Sequence, residues 1–208
     1  MEKVHKLKFG FAAKRVVEQD EGITTFFENL RPFRLVTIKY PYHGKLVRRK
    51  PDLRLDLFNR SQLQPALVVE TSYAQPEEDM KAKLKEYIDC TNGEILTAVG
   101  CNLDYPAAQG IRVTVLRAQF NDGGIYTGAS EETLEIRTAE GSVGPVSEAL
   151  NLSLYDLGLP FPKTNTDLLQ EPRLLVSTNE LCHWVDRAVE REEAADAAAA
   201  ASLTLGNK

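Results

Sequence analysis

Histidine, the usual general base of Ser-His-Asp hydrolases, is scarce in this chain of 208 residues. Histidine occurs only at His5, His43 and His183, and no serine sits in a Gly-x-Ser-x-Gly turn, so a Ser-His-Asp hydrolase is disfavoured. The Gly123-Gly124 pair is not followed by Lys-Ser or Lys-Thr, the signature of a phosphate-binding loop. The sequence therefore gives no support to nucleotide hydrolysis of that kind.

Cysteine and long apolar runs are also rare. Cys90, Cys101 and Cys182 are odd in number and have no Cys-x-x-Cys spacing, which favours reduced, partly buried thiols over a disulfide or a zinc site. No apolar stretch approaches the roughly 20 residues that cross a bilayer, so we expect no membrane association. Residues 1–8 lack the apolar core of a secretory signal, so we expect an intracellular protein of the cytoplasm or nucleus that is not secreted.

The length and composition are those of one ordinary globular domain. The chain is 43% hydrophobic and 26% charged, and single cores usually span about 100 to 200 residues. We expect one domain over residues 1–189. Residues 190–208 should form an Ala/Glu-rich tail, helical or disordered, because 191–201 have high helix propensity but no large apolar side chain to anchor a helix.

Positive charge is concentrated in one segment of an acidic chain. The net charge is −5, but residues 31–54 carry eight basic residues against one acid, which is +7, so the remainder carries −12. Such a segment suits the phosphate backbone of a nucleic acid. The alternative is a solvated hairpin whose cations keep an edge strand from pairing. The residues expected to contact nucleic acid are Lys45, Arg48, Arg49, Lys50 and Arg54.

The hydrophobic pattern predicts strands and helices in mixed order, an α/β (α+β) fold. Helix is predicted in part of 11–30, with Gly22 dividing or ending it, and over 76–89. A further helix is predicted from Thr178 or Asn179 to about Ala201, and its start resembles a capping arrangement. Strands are predicted over 34–40, 45–57, 66–73, 94–100, 111–120, 132–137, 151–157 and 174–177, with a hairpin turn at 41–44.

The helix predicted over 76–89 has one apolar face. At about 100° per residue, its stripe consists of Met80, Leu84, Tyr87 and Ile88, which should pack on the sheet. Lys81 and Lys83 lie on opposite flanks of that stripe, and Lys85 points further out. A lysine on a flank can lie along the sheet and extend its ammonium toward a strand end. Either flanking lysine could therefore approach an acid there, although a solvated lysine is the usual case.

Two acids stand at the ends of predicted strands. Asp52 lies in the charged run 50–56, and Glu70 ends the apolar run 66–70. A carboxylate at the end of a buried strand is costly unless hydrogen bonds or a cation compensate it, so two of them on neighbouring strands suggest a metal site. In the purely structural alternative, Asp52 pairs with Arg54 or Arg48 and Glu70 caps the following turn.

These residues carry a family resemblance. Pro51-Asp52, then Val-Val-Glu-Thr-Ser-Tyr-Ala-Gln over 68–75, then Asp79, Lys83-Leu84 and Tyr87 in the next helix resemble the PD-(D/E)XK superfamily of restriction-endonuclease-like nucleases. The pattern is most similar to the Uma-type branch and related uncharacterised fungal proteins, and it covers roughly residues 11–117. One position departs from the superfamily, because Ser72 stands where its strand lysine would be. Lys83 occupies the position from which a lysine on the helix could replace it.

The resemblance implies a restriction-endonuclease-like fold, a mixed central β-sheet flanked by helices. It implies that Asp52 and Glu70 hold Mg²⁺ or Mn²⁺, with the backbone carbonyl of Thr71 as a third ligand, and that Lys83 orients the attacking water or pairs with the phosphate. Two further residues are candidates for supporting roles there: Gln75 in positioning water and Glu28 as an additional acid.

The implied activity is metal-dependent hydrolysis of phosphodiester bonds in DNA or RNA by an endonuclease-like enzyme. The alternative is a catalytically inactive module of the same fold that binds nucleic acid or protein, which the missing lysine at Ser72 and the acidic net charge favour. A homodimer is compatible with the sequence.

Overall fold

The computed structural model describes residues 28–57, 64–73, 75–104, 110–145, 149–159 and 173–205. These residues form a mixed α+β structure dominated by β-sheet. Its strands are β1 (Leu30–Arg34), β2 (Ile38–Tyr42), β3 (Lys45–Arg49), β4 (Leu53–Leu57), β5 (Leu67–Tyr73), β6 (Thr97–Leu103), β7 (Ile111–Phe120), β8 (Tyr126–Arg137), β9 (Ala149–Ser153) and β10 (Arg173–Ser177). Its helices are α1 (Glu77–Asp89) and α2 (Thr178–Leu205).

A six-stranded mixed sheet is the centre of the fold. Its strand order is β1-β4-β5-β6-β7-β8, and the pairs β2–β3 and β9–β10 form separate two-stranded sheets. β5 and β6 run parallel, whereas the other neighbours in the large sheet are antiparallel. Parallel neighbours need a crossover connection, and α1 lies in it. The expectation of a mixed sheet with helices is confirmed.

Each face of the large sheet has its own apolar core. On one face, α1 and the β2–β3 hairpin cover Val68 and Ala98, and the predicted helical stripe of Met80, Leu84, Tyr87 and Ile88 is buried there. On the other face, the β9–β10 strand pair and the start of α2 pack on residues such as Leu55 and Leu67. The sheet is therefore the middle of three layers.

Close packing of α1 on the sheet depends on Gly100 in β6. A Cβ atom at this position would lie 2.8 Å from Leu84 Cδ1 and 2.9 Å from Met80 Cγ, closer than atoms pack in protein cores. Gly100 is the register partner of Glu70 on β5. The glycine therefore lets the helix approach the sheet beside Glu70.

The prediction of one continuous strand over 45–57 is wrong. It is divided at Pro51 into β3, which pairs with β2, and β4, which pairs with β1 and β5. Proline has no N–H for a strand ladder and its φ is restricted, so an extended run often ends there. The predicted hairpin turn is present, with positive φ at His43 (47°) and Gly44 (73°).

Several other strands begin or end at residues that differ from the predicted ones. β8 begins at Tyr126 rather than 132, β6 begins at Thr97, and β9 ends at Ser153. The helix predicted within 11–30 lies outside the described residues as far as position 27. Leu30, at its predicted end, belongs to strand β1. The predicted tail is helical as far as Leu205, where α2 ends.

The start of α2 is a capping box. The Ser177 backbone N–H and hydroxyl both donate to Glu180 Oε2, at 3.1 and 2.8 Å, and the Glu180 N–H donates back to Ser177 Oγ. The predicted capping arrangement is confirmed. Within the described residues, neither helix is long and apolar enough to cross a membrane.

Candidate active site

Glu70 is the buried acid at the centre of the candidate site. Strand side chains alternate, so Glu70 shares with Val68 and Ser72 the sheet face that α1 covers. Only 2% of Glu70 is exposed. Its Oε1 accepts a hydrogen bond from the Tyr87 hydroxyl, and its Oε2 lies 2.8 Å from Lys83 Nζ. Both carboxylate oxygens therefore have a partner on α1.

The three lysines of α1 have different partners. Lys81 contacts Glu77 and, across to β8, Glu131, each at 2.8 Å. Lys85 pairs with Asp89 at 2.7 Å on the outer side of the helix. Lys83 is the lysine that contacts Glu70, and its side chain remains 35% exposed. The contact is thus present, whereas a role for Lys83 in catalysis stays a prediction.

Ser72 occupies the position where the resembling nucleases carry a lysine. It is on the same face as Glu70, two residues further along β5, and its hydroxyl donates to Asn102 Oδ1 at 3.0 Å. Asn102 Nδ2 in turn donates to the Gln75 backbone carbonyl at 3.1 Å. The serine is used to join the ends of β5 and β6. The contact made by Gln75 here is through its backbone carbonyl, and its water-positioning role stays a prediction.

Asp52 lies immediately before β4. The last register pair there is Leu53 with Val69, so Asp52 and Glu70 each lie one residue beyond it on neighbouring chains. Asp52 Oδ2 accepts a hydrogen bond of 2.7 Å from the Thr71 backbone N–H. This bond joins the segment before β4 to β5 and places an acid next to the strand that carries Glu70.

The purely structural alternative for the two acids does not match these contacts. Arg54 pairs with Asp56 at 2.7 Å rather than with Asp52. Glu70 contacts two side chains of α1 rather than a turn. Asp52 therefore has no arginine partner in the described part of the chain, and its carboxylate is held by a backbone amide.

The donor set of the site fits a small hard cation. Asp52 and Glu70 offer carboxylate oxygens and Thr71 a carbonyl, and Mg²⁺ is bound in proteins by one or two carboxylates with several waters. Over the described ranges there is no group of three or more His, Cys, Asp or Glu side chains arranged for a metal. An ion would therefore depend on waters for most of its ligands, and it would have to displace the Lys83 ammonium from Glu70.

Glu28, the additional acid that the resemblance suggested, precedes β1 and is exposed. Its backbone carbonyl accepts a hydrogen bond from Arg31.

Tyr87 is a residue of the site for which the sequence predicted no role, although it belongs to the apolar stripe and to the motif of the resemblance. Its side chain is fully buried, and burial, followed by the hydrogen bond to Glu70, raises its pKa well above the usual range. The phenol therefore remains a proton donor to Glu70 at neutral pH. Its ring also packs edge-on against Tyr40 of β2, with ring centroids 6.1 Å apart.

The basic hairpin β2–β3 is held on α1 beside this site by Glu86. The Tyr40 hydroxyl donates to Glu86 Oε1 at 2.8 Å, and Arg49 donates to both oxygens of the same carboxylate at 3.1 and 2.9 Å. Burial raises the pKa of the Glu86 carboxyl, but the Arg49 guanidinium and the Tyr40 hydroxyl outweigh it, so the pKa is lowered overall.

The five cations predicted to contact nucleic acid do not form one surface. Arg49 faces α1. Arg48, which is the strand-register partner of Lys39, lies on the opposite face of the hairpin. Arg54 belongs to the large sheet and lies over the Phe33 ring, 5.2 Å from its centroid. Lys45 and Lys50 are exposed. A nucleic acid in contact with all five would have to span several faces of the molecule.

We expect docking of the hairpin to weaken in acid because of Glu86. Its folded pKa is lowered, so its contribution to stability is present above the unfolded pKa of about 4.3 and is lost as the pH falls through the folded value. Urea unfolding at pH 7 and at pH 3.5 should show a larger fall in the free energy of unfolding for the parent than for Glu86→Gln. Equal falls in the two proteins would contradict this assignment.

Comparisons with known proteins add no assignment. No protein-family model matches the chain, and no curated protein matches it significantly.

Proposed function

We propose that the chain is a metal-dependent nuclease of the PD-(D/E)XK kind, with a restriction-endonuclease-like fold, which hydrolyses phosphodiester bonds in DNA or RNA. The observation that carries the proposal is the contact of 2.8 Å between Lys83 Nζ and Glu70. This contact brings the ammonium of a lysine on α1 to the sheet face on which Ser72 stands in place of the superfamily's strand lysine. The order of β4, β5 and α1, with Asp52 before the first strand and Glu70 on the second, supports the same proposal.

The residues of the site have separate roles in this proposal. Asp52 and Glu70, with the Thr71 carbonyl, would hold Mg²⁺ or Mn²⁺, which supplies a water of lowered pKa and positive charge near the phosphate. Tyr87 holds one oxygen of Glu70 and so fixes the orientation of its carboxylate. The Lys83 side chain is 35% exposed, so its ammonium would pair with a phosphate oxygen if it left Glu70.

The matched pair Lys83→Ala and Lys81→Ala tests the proposal. Both lysines are on α1 and both form ion pairs, but Lys81 contacts Glu77 and Glu131 and lies away from Glu70. Loss of Lys83 should reduce cleavage of labelled oligonucleotides with Mg²⁺ or Mn²⁺ by about 10²-fold or more, the usual effect of removing one group that stabilises transition-state charge. Lys81→Ala should cleave at close to the parent rate. Equal rates in both variants and the parent would refute the role of Lys83.

A second candidate function is a catalytically inactive module of the same fold that binds nucleic acid or protein. The observation in its favour is that Lys83 and Tyr87 already satisfy both oxygens of Glu70. A carboxylate in that state is stable without a cation. Absence of cleavage by the parent protein with either metal, together with retained binding of oligonucleotides, would favour this candidate.

A further inference from the structure

The two oxygens of the Glu70 carboxylate are held by groups of different kinds. Oε1 accepts a hydrogen bond from the Tyr87 hydroxyl, and Oε2 lies 2.8 Å from Lys83 Nζ. The phenol hydroxyl is a neutral donor, whereas the lysine ammonium is a cation. A metal ion beside Glu70 would repel the ammonium by its charge but would not repel the hydroxyl in that way. The two oxygens are therefore not equivalent for metal coordination.

Tyr87 is fixed in place, whereas Lys83 has room to move. The Tyr87 side chain is fully buried in the core between α1 and the sheet, and its ring packs edge-on against Tyr40. The Lys83 side chain is 35% exposed, and a lysine has a flexible stem of four carbons. Lys83 can therefore turn its ammonium to solvent, but Tyr87 cannot withdraw its hydroxyl without disturbing close packing. Oε1 remains engaged when Oε2 is released.

Asp52 is restrained in a similar way. Its Oδ2 accepts a hydrogen bond of 2.7 Å from the Thr71 backbone N–H. Thr71 lies within β5, so this donor is held by the sheet and carries no net charge. Each of the two acids thus has one oxygen engaged by a fixed, neutral donor.

The number of oxygens that a carboxylate offers distinguishes between divalent ions. Mg²⁺ is small, requires near-octahedral geometry and keeps several waters, so one or two carboxylates suffice to bind it. Ca²⁺ is larger, takes about 6 to 8 oxygen ligands and often includes carboxylates that coordinate through both oxygens. An oxygen that accepts a hydrogen bond has less negative charge to offer a cation, so Glu70 favours contact through Oε2 alone.

We infer that Tyr87 determines the ion selectivity of the site, because by holding Oε1 it restricts Glu70 to one contact with a cation and so favours Mg²⁺ over Ca²⁺. Tyr87 acts through Glu70 and is therefore a positioning residue. This role rests on the proposed function, which places the ion at Glu70. It is measured as ion binding, however, and needs neither substrate nor cleavage.

The test is competition for Mn²⁺ bound to the full chain. Free Mn²⁺ has a sharp electron paramagnetic resonance signal that is lost on binding, so its return measures displacement by Mg²⁺ or Ca²⁺. In the parent, Ca²⁺ should need a concentration at least about tenfold higher than Mg²⁺, the factor that one contact to a charged group is worth. In Tyr87→Phe this ratio should fall about tenfold, because Oε1 becomes a second contact for Ca²⁺.

Tyr40→Phe is the matched control. Tyr40 is also a fully buried tyrosine whose hydroxyl donates to a carboxylate, here Glu86 Oε1 at 2.8 Å. That carboxylate is also paired with a cation, Arg49, at 2.9 Å. The variant keeps the ring that packs against Tyr87 and removes a hydroxyl of the same kind, but its acceptor is Glu86 rather than Glu70. Tyr40→Phe should therefore keep the parent ratio.

Lys83→Met separates the loss of a competing charge from the loss of a hydrogen bond. It removes the ammonium from Oε2 and leaves Oε1 with Tyr87. Both ions should bind more tightly by a similar factor, so the ratio of the two concentrations should stay unchanged. An unchanged ratio in Tyr87→Phe, or an equal fall in Tyr87→Phe and in either of the other variants, would overturn the inference.

Infrared spectroscopy of the parent gives a test that needs no Tyr87 variant. The carboxylate stretching bands differ between coordination through one oxygen and through two, and the band that is lost in Glu70→Gln belongs to Glu70. With Mg²⁺ this band should show coordination through one oxygen. A band for two oxygens would overturn the inference, even if Tyr87→Phe failed to fold.

Cleavage assays separate this assignment from the proposed function. A ratio that depends on Tyr87, without any cleavage of DNA or RNA, would overturn the nuclease proposal and leave the selectivity assignment standing. Cleavage by the parent with Mg²⁺, together with an unchanged ratio in Tyr87→Phe, would have the opposite meaning. A parent protein that binds no Mn²⁺ would overturn both.

Discussion

Replacing Glu70 by glutamine is expected to reduce metal-dependent cleavage at least about a thousandfold, because the variant loses a charged ligand of the proposed cation. The substitution is nearly isosteric, and the amide oxygen can still accept the hydrogen bond that Tyr87 donates in the parent. Lys83 loses its partner, but its side chain is 35% exposed, so its charge remains hydrated. The fold should therefore survive, which far-ultraviolet circular dichroism and a thermal melt would check.

The same variant gives a readout that does not depend on activity. The parent should be stabilised by millimolar Mn²⁺ in a thermal melt, since a ligand that binds only the folded state raises its stability. Glu70→Gln and Asp52→Asn should lose this stabilisation. Glu78→Gln, an exposed acid in the first turn of α1, should retain it. Equal stabilisation of all four proteins by the metal would count against a cation at Asp52 and Glu70.

Replacing Asp156 by alanine should have the largest effect on stability, about 3 to 5 kcal/mol in the free energy of unfolding, as is typical when one member of a buried ion pair is removed. Asp156 is 3% exposed. Its Oδ1 accepts bonds from Thr97 Oγ1 at 3.0 Å and Arg117 Nε at 3.1 Å, and its Oδ2 accepts one from the Ser153 N–H at 2.8 Å. The carboxylate thus joins the turn after β9 to β6 and β7.

Alanine at this position would leave the buried Thr97 hydroxyl and the Ser153 amide without their acceptor, and each such group costs about 1 to 3 kcal/mol. Asp186→Ala is the matched control. Its carboxylate also pairs with an arginine, Arg137, at 2.7 Å, but it is 48% exposed. An exposed pair contributes about 1 kcal/mol or less. Equal losses of stability in the two variants, measured by urea unfolding, would show that the buried network contributes no more than a surface pair.

Tyr87 and Lys83 show what helical periodicity predicts and what it leaves open. The spacing of residues 76–89 predicted the buried stripe and placed Lys81 and Lys83 on opposite flanks, and the structure confirms the stripe. Periodicity describes directions around a helix axis, but not what lies at the end of each side chain. That Tyr87 carries its hydroxyl to Glu70, and that Lys83 rather than Lys81 reaches the same acid, depends on which strand lies beneath each flank.

The basic segment shows the reverse case, in which local sequence was misleading. Eight cations between Arg31 and Arg54 suggested one surface for phosphates. Pro51 divides the segment between two sheets, and strand alternation then turns neighbouring cations such as Arg48 and Arg49 to opposite faces. Charge density along a chain becomes charge density on a surface only if the chain stays in one element.

The sequence by itself determined the order of most strands and helices, the apolar face of α1 and the capped start of α2, because these follow from periodicity and from groups within a few residues of one another. The tertiary structure alone decided the partners of Glu70 and the attachment of the hairpin by Glu86. Each of these joins residues more than ten positions apart, and such pairs meet only through the packing of α1 and the hairpin on the sheet.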